Sequence, residues 1–590
     1  MKILSLFCGL ILTIRRIKGD LTVQSETSTL TRRQVESPDL SHSGFVYAPG
    51  DGNLYLNGEL FNFRSFNAPT IFEGGEYQGR DILKSIAAFG APVTRTYTLQ
   101  IANDALENGK MPPSAGHITG WDKSSNDWIY NEDQWRTMDQ MLDLSRHYGV
   151  KLIIPIINQD YGNPDLNYIG DFIDLIRHRY GIYGFKDAAK RVDFFTDKTM
   201  LEAFKKLITF FLNRVNTYSG IRYGDDKTIL AFETGNEMSW KPSPNTSSQP
   251  APAQWTIAVS QHLKTLAPKT LVMDGSYSRH PAFAWEEEAL KSKYVDLFGY
   301  HFYGQGDTEA FEKLHAKVRA YGKTLVIAEH GFYKEASIWR DVYKRFNCAG
   351  TLAWSLLPHS EKSGFVTRSE GHNIHGYHVP GWRNQTSKQF DTQEEEVISA
   401  TYDASYHILG REPPPKPVPG RPEAFIVSNG SHAGLSWRGE AWAAGYEVFG
   451  AEAWGREFRL ISDVIPDNVE PGGIFLPLNP ARPTELLHIT TLKPKSDEPH
   501  KGWVDLKWCR KRSILGCQDS PQAPGSAGMD HLGNFVGKSS MKVMPIMTPL
   551  RDRNHSGGWF SVRGVSADGT PGKHSRPVFL KTGEQNDRRG

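Results

Sequence analysis

At 590 residues the chain is too long for one ordinary domain, so two or three are expected. Lys and Arg number 68 against 66 Asp and Glu, a net charge of +2 that argues against a nucleic-acid partner, and the composition fits neither a fibrous nor a broadly disordered chain. Aromatic content is 12%, enough to furnish core rings and stacking platforms alike.

The N-terminus places Lys2 before the short apolar run Ile3–Ile14, which fits a secretory signal over residues 1–19; Arg15, Arg16 and Lys18 make its cleavage region atypical. The run is too short to span a bilayer comfortably. Export is therefore expected, and the acceptor triplets at Asn245, Asn384, Asn429 and Asn554 agree with a secreted glycoprotein. Of the four cysteines, Cys8 goes with the signal, Cys509 and Cys517 are close enough to pair, and Cys348 reads as a buried thiol after a helix. Residues 20–43 are rich in Ser and Thr without apolar period, the pattern of a disordered leader.

From residue 44 the chain alternates between two periods. Strands are expected at 61–67, 92–97, 150–157, 229–234, 271–274, 295–300, 324–328 and 350–355. Helices are expected at 81–89, 133–148, 200–215, 253–266, 284–290, 309–321, 337–346 and 394–408. Near-continuous apolar strands separated by helices imply a parallel sheet, and eight such units imply a (β/α)8 TIM barrel over residues 44–410. A doubly wound open sheet is the structural rival, but no Gly-rich phosphate loop follows the first strand.

The Pro-rich stretch at 411–422 reads as a stiff linker. Beyond it, Leu435 and Trp437, Tyr446 and Val448, and Phe560, Val562 and Val565 form short alternating runs broken by Gly and Pro. That is the pattern of a smaller all-β sandwich over 423–590, with an insertion around 468–535 carrying Cys509 and Cys517. The run from Gly558 to Gly572 resembles the closing strands of a fibronectin type III domain.

In an eight-stranded barrel the chemistry sits where strands end. Strand two ends at Arg95, and strand three at Asn158 with Tyr161 nearby. Strand four ends at Asn236 and Glu237, strand six at His301 and Tyr303, strand seven at Glu329, and strand eight at Trp354. Strands four and seven face each other across the mouth, so Glu237 and Glu329 are placed for acid/base chemistry at an acetal. A retaining glycosidase needs its two carboxyl groups about 5–5.5 Å apart. Arg95 and Tyr303 are suited to hold a nucleophile ionised, Asn236 to donate to a sugar 2-hydroxyl, and Trp354 to form the floor beneath a ring.

The run Ala231-Phe-Glu-Thr-Gly-Asn-Glu-Met238 is similar to the Trp-Glu-Leu-Gly-Asn-Glu-Pro run of clan A, family 5 glycoside hydrolases, and the whole set closely resembles fungal endo-β-1,4-mannanases. The resemblance covers roughly residues 44–410. It implies Glu237 as acid/base and Glu329 as nucleophile, with Arg95, Asn158, Asn236, His301, Tyr303 and Trp354 around the substrate, a β-linked polysaccharide or oligosaccharide. Met238 stands where Pro is usual, His330 where Phe is common, and Asn158 where many members place His. These departures leave the reaction type intact and the substrate open: a β-glucanase, an exo-β-mannosidase and a non-catalytic carbohydrate-binding protein remain alternatives.

Blander readings accompany several residues. Glu233 lies inside its strand and reads as a structural carboxylate. Trp121, Trp128 and Trp382 are subsite platforms or loop core. The Glu286–Glu288 and Glu394–Glu396 runs read as solvated helix starts. His301, His330 and His372 have no metal-ligand spacing, so neither metal nor cofactor is expected, and the protein is expected to act as a monomer.

Overall fold

Eight short apolar segments form one parallel sheet, and their order along it makes a ring. The computed structural model describes residues 43–103, 116–159, 170–241, 248–278, 283–303, 310–333, 335–367, 376–381, 394–429, 432–466, 474, 476–478 and 557–581. The signal-like segment, Tyr161, Asn245, His372, Trp382, Asn384, Cys509, Cys517 and Asn554 lie outside the described residues.

The ring strands are β1 (Phe63–Phe66), β2 (Val93–Arg95), β3 (Lys151–Pro155), β4 (Ile229–Glu233), β5 (Leu271–Asp274), β6 (Leu297–Tyr303), β7 (Thr324–Gly331) and β8 (Gly350–Ala353). They pair in the order β1-β8-β7-β6-β5-β4-β3-β2. The two ends meet through a parallel bridge between Asn67 and Arg95, and Ala68 N donates to Arg95 O at 2.9 Å. Eight parallel strands thus form the nearly closed sheet of a TIM barrel.

Side-chain alternation divides the apolar residues between two cores. Ile153, Met273, Val326 and Ala328 point into the barrel, where they cluster with Phe63, Val93 and Leu352. Their neighbours Leu152, Ile154, Val272, Leu325 and Ile327 join the layer between sheet and helices. Each fully buried Leu, Ile or Phe contributes roughly 1.5–3 kcal/mol. On the helix side the layer is closed by α1 (Glu76–Ile86), α2 (Glu132–Tyr148), α3 (Phe172–Tyr180), α4 (Phe185–Arg191), α5 (Lys198–Asn213), α6 (Ala253–Leu266), α7 (Glu287–Lys291), α8 (Phe311–Ala320), α9 (Ala336–Arg345) and α10 (Glu394–His407).

Local chemistry sets several boundaries. Asn131 caps α2 by accepting from Asp133 N, and Gly149 ends it in the left-handed conformation at φ +71°. Asp197 caps α5 by accepting from Met200 N; of the stripe that the spacing predicts, Phe204, Ile208, Phe211 and Val215, the first three are buried, while Val215 lies beyond the helix end and is exposed. Helix α1 starts five residues before its expected position, at Glu76, because Gly75 takes the N-cap and Glu76 sits favourably in the first turn. Helices α3 and α4 had no sequence expectation: α3 is apolar at its start and basic at its end, without a 3.6-residue stripe, and α4 has only 7 residues.

Beyond the barrel, β9 (Glu423–Asn429), β10 (His432–Arg438), β11 (Gly445–Ala451), β12 (Arg459–Leu460), β13 (Leu476–Pro477), β14 (Gly557–Val565), β15 (Pro571–His574) and β16 (Val578–Lys581) form two antiparallel sheets. One has the order β9-β10-β13; the other has the order β12-β11-β14-β15, with β16 also on β14. Leu435 and Trp437 from the first sheet share one apolar cluster with Tyr446, Val448, Phe560 and Val562 from the second. Cys348 is buried, and its Sγ lies 3.3 Å from Gly350 O. Among the described residues, no helix is long and apolar enough to cross a membrane.

Candidate active site

Arg95 ends β2 inside the barrel with no solvent exposure, where a lone guanidinium would be prohibitively costly. Four side chains surround it. Its Nε and Nη2 donate to the two oxygens of Glu233 at 2.6 and 3.0 Å, its Nη1 to Glu329 Oε1 at 2.9 Å, and its Nη2 also to Asn236 Oδ1 at 2.8 Å. Asn67 Oδ1 lies 3.4 Å from Nη1. Opposing burial, the Glu233 and Glu329 charges hold the guanidinium firmly protonated. Glu233 is fully buried within β4 and bound to Arg95, as a structural carboxylate should be.

Arg95→Met would leave two buried carboxylates without their cation. A loss of about 3–5 kcal/mol in unfolding free energy is expected, read by urea denaturation. A midpoint unchanged from the parent would contradict this account.

Glu237 follows β4 in an unusual backbone state. Its φ of +49° lies in the left-handed region, which costs a non-glycine residue roughly 1–2 kcal/mol. Hydrogen bonds on both sides hold it there: Asn236 N donates to Ile157 O at 2.7 Å and Met238 N to Gly275 O at 2.9 Å. The chains pack closely here. A Cβ on Gly275 would fall 1.8 Å from Gly235 O, so that position requires glycine. The Asn236 amide is oriented by its partners, since Oδ1 accepts from Arg95 while Nδ2 donates to Asn158 Oδ1 at 2.8 Å.

The other carboxylate arrives through irregular pairing. Registers shift between Tyr300 and His301 on β6, and between Ile327 and His330 against β8. Such irregularities re-aim side chains without ending the ladder, which is why β6 and β7 run three residues past their expected ends. Glu329 then meets Arg95 and receives a hydrogen bond from the Tyr303 hydroxyl. His301 bridges the pair, with Nδ1 2.8 Å from Glu237 Oε1 and 3.3 Å from Glu329 Oε2. Ligand atoms of Glu237, His301 and Glu329 all lie within 4.8 Å of one another.

Burial pushes the Glu237 carboxyl up to about 7, against the opposing effects of Arg95 and a hydrogen bond from Gln159. Burial raises Glu329 too; His301, Arg95 and Tyr303 oppose the rise and the Glu237 charge adds to it. The His301 ring is pushed down to about 4 by burial, against the neighbouring Glu329 charge. Two carboxylates this close favour sharing one proton. Glu329 is in direct contact with the guanidinium, which favours its anion, whereas the hydrogen-bonding partners of Glu237 are the Gln159 amide and the His301 imidazole.

Trp354 lies just after β8 with 6% of its surface exposed, and its ring packs on Tyr97 at 5.9 Å between centroids. Tyr303 stacks on Phe332 at 4.4 Å, and the four rings form one cluster. The Trp354–Ser355 peptide is cis. All eight expected site residues thus lie at or close to the ends of β2, β3, β4, β6, β7 and β8; hydrogen bonds join Arg95, Asn158, Asn236, Tyr303 and Glu329 in one set and Glu237 to His301 in another, and the 3.3 Å contact of His301 with Glu329 connects the two.

Sequence reading missed Gln159, whose Nε2 donates to Glu237 Oε2, and Tyr97, whose hydroxyl lies 3.5 Å from Asn236 Nδ2. Each stands one or two residues beyond a residue already singled out, so reading one alternation further past each strand would have found them. It also missed Asp274, buried at the end of β5 and pushed up to about 6 by burial. Other expectations resolve away from the centre. Trp128 is loop core: it is buried and its Nε1 donates to Ala203 O at 2.7 Å. Trp121 packs edge-on to Trp128 with Arg179 over its face at 4.4 Å. His330 points opposite to Glu329, into the helix layer against Trp339 and Tyr343, as strand alternation requires. The expectation of a solvated start at Glu394–Glu396 fails for Glu394, which is fully buried and accepts from His378 N at 3.0 Å.

A divalent ion would find ligand atoms in Glu237, His301 and Glu329. The Arg95 cation 2.9 Å from Glu329 opposes a second positive charge there.

Residues 134–331 match the family model described as GH family 5 beta-mannosidase-like. The matched segment runs from α2 to the end of β7 and includes Asn158, Asn236, Glu237, His301, Tyr303 and Glu329. The chain is 28% identical over 237 residues to a putative mannan endo-1,4-beta-mannosidase 5 of Oryza sativa subsp. japonica, covering 40% of this chain and 42% of that one. It is 22% identical over 379 residues to mannan endo-1,4-beta-mannosidase 3 of Solanum lycopersicum, covering 57% of this chain and 87% of that one. The chain therefore spans less than half of the rice relative it matches. The endo-1,4-beta-mannanase structure from Rhizomucor miehei is 19% identical, with 61% of this chain and 99% of that chain covered and a TM-score of 0.46.

Proposed function

We propose that the protein is a retaining O-glycosyl hydrolase that cleaves β-1,4-mannosidic bonds in mannan-type polysaccharides. The observation that carries this reading is the pair Glu237 and Glu329, with carboxylate oxygens within 4.8 Å of each other across His301. With one oxygen of each within 4.8 Å of the other, the pair is in keeping with the about 5–5.5 Å separation of a double displacement rather than the ~6.5–9.5 Å of an inverting enzyme. The family 5 mannosidase-like match over the same strands supports the sugar.

In this mechanism Glu329 attacks the anomeric carbon while Glu237 protonates the departing glycosidic oxygen. Glu237, now ionised, takes a proton from a water that displaces Glu329 from the anomeric carbon. Arg95 and Tyr303 stabilise the Glu329 carboxylate, and Asn236 and Asn158 face the sugar hydroxyls. Trp354 and Tyr97 supply the ring surface beneath it.

The strands from Glu423 to Lys581 we read as a fibronectin type III-like β-sandwich, supported by the apolar cluster its two sheets share. Export rests on the signal-like N-terminus and the glycosylation triplets, and a monomer is the expected form.

A panel of mannan, galactomannan, cellulose and mixed-linkage glucan tests the substrate, with release of reducing ends fastest on mannans. Proton NMR of the first product should show the β-anomer before mutarotation; an α-anomer appearing first would reject the two-step mechanism.

A further inference from the structure

The loop that leaves β8 is held from outside the barrel. It carries Trp354 at one end and His359 five residues later. His359 is buried, and Asp81 Oδ2 on α1 accepts from its backbone N at 2.8 Å and contacts its ring Nδ1 at 2.9 Å. The other ring nitrogen, Nε2, lies 3.5 Å from the hydroxyl of Tyr446 on β11, a strand of the C-terminal sheets. That hydroxyl in turn accepts from Glu440 N at 3.0 Å. One line of polar contacts thus runs from α1 through the β8 loop into the C-terminal region.

Neighbouring contacts repeat the connection. Lys84 Nζ on α1 lies 2.6 Å from the buried carboxylate of Glu440, and Tyr77 OH donates to Gly439 O at 2.8 Å. Arg438 Nε donates to Glu361 O at 2.9 Å, and Ile474 N to Ser363 Oγ at 3.2 Å. Inside the loop, Phe365 packs between the rings of His359 and His378 at 4.5 and 4.4 Å. Between His359 and Trp354 the chain has little freedom. Leu356 N donates to Asn67 O, Leu357 N to Tyr377 O and Tyr377 N to Ser355 O, each at 2.8 Å.

We propose that the C-terminal β-region is a positioning element of the barrel, with Tyr446 acting through His359 to fix the loop that presents Trp354. Tyr446 is a positioning residue, since it touches His359 and not the carboxylate pair. The C-terminal region therefore does more than tether or append. It supplies the outer wall against which one side of the substrate cleft is set, and its role follows from packing at the β8 loop, whatever sugar affinity it has of its own. The kinetic consequence rests on the glycosidase reading above; the positional one does not.

The test is hydrogen–deuterium exchange on the full-length chain and its Tyr446→Phe variant. Phenylalanine keeps the ring and deletes the hydroxyl, leaving His359 Nε2 and Glu440 N without that partner. Exchange within residues 355–366 should rise about tenfold, while amides of β3 and β4 on the far side of the barrel stay unchanged. Unchanged exchange in 355–366 overturns the proposal. Should Tyr446→Phe unfold as a whole, Arg438→Met removes the half-buried donor to Glu361 O and is expected to raise exchange in the same segment; no rise there overturns it equally. On mannan oligosaccharides, Tyr446→Phe should raise KM about tenfold with kcat within about twofold, because ring placement is loosened and the carboxylate pair is not. A fall in kcat at constant KM would place the effect on the reacting groups and reject the positioning role. If no oligosaccharide is cleaved by the parent protein, the glycosidase reading has failed and the exchange result alone decides this one.

Discussion

Glu329→Ala is expected to lower kcat on mannan by on the order of 10⁴-fold or more, since in the proposed mechanism it deletes the group that forms the glycosyl intermediate. The fold should survive. Arg95 keeps both hydrogen bonds to Glu233 and the one to Asn236, so the guanidinium is not stranded when Glu329 is shortened. Far-ultraviolet circular dichroism and the thermal midpoint report on that separately from activity. Azide supplies a small nucleophile in the space left behind. With an activated aryl β-mannoside it should restore turnover and give an α-glycosyl azide, inverted relative to the substrate. Hydrolysis by Glu329→Ala near the parent rate would remove Glu329 from the nucleophile role.

Glu237→Ala should have an effect nearly as large, with a different signature. Proton donation typically contributes about 10²–10⁴-fold, and its loss falls on bonds whose leaving group needs a proton. Mannan cleavage should drop by roughly that factor. An aryl mannoside with an acidic phenol should still form the intermediate quickly and then stall. Azide should relieve the stall and give a β-glycosyl azide.

The pH profile carries the same assignment. Glu237 must hold a proton to act as acid, and burial sets its carboxyl at about 7. In the parent protein kcat/KM should therefore fall as pH rises through about 7, and in Glu237→Ala that alkaline limb should vanish for aryl substrates. An alkaline limb that persists in the variant would assign the ionisation to another group.

The line between what sequence and structure each reveal runs through particular residues. The ring of eight strands was legible because each barrel strand is apolar on both faces, lining the interior on one and the helix layer on the other. The six strand ends that carry the site residues were legible because polar side chains interrupt apolar runs there. Helix α3 was not legible, since an element buried on most sides shows no stripe. Glu394 was misread for a related reason: a charged residue at a helix start is usually solvated, and only its packing beside His378 reverses that.

The sequence by itself determined the alternation that builds the barrel and the chemical types at the strand ends, because both depend on local period and composition. Only the tertiary structure decided how those types divide their work. Whether a carboxylate neutralises Arg95 or stands ready as an acid depends on distances of a few ångströms between strands far apart in the chain. Glu233 and Glu237 are four residues apart on one segment. One is held between two guanidinium nitrogens and the other faces Gln159 and His301, and that difference in partners separates their roles.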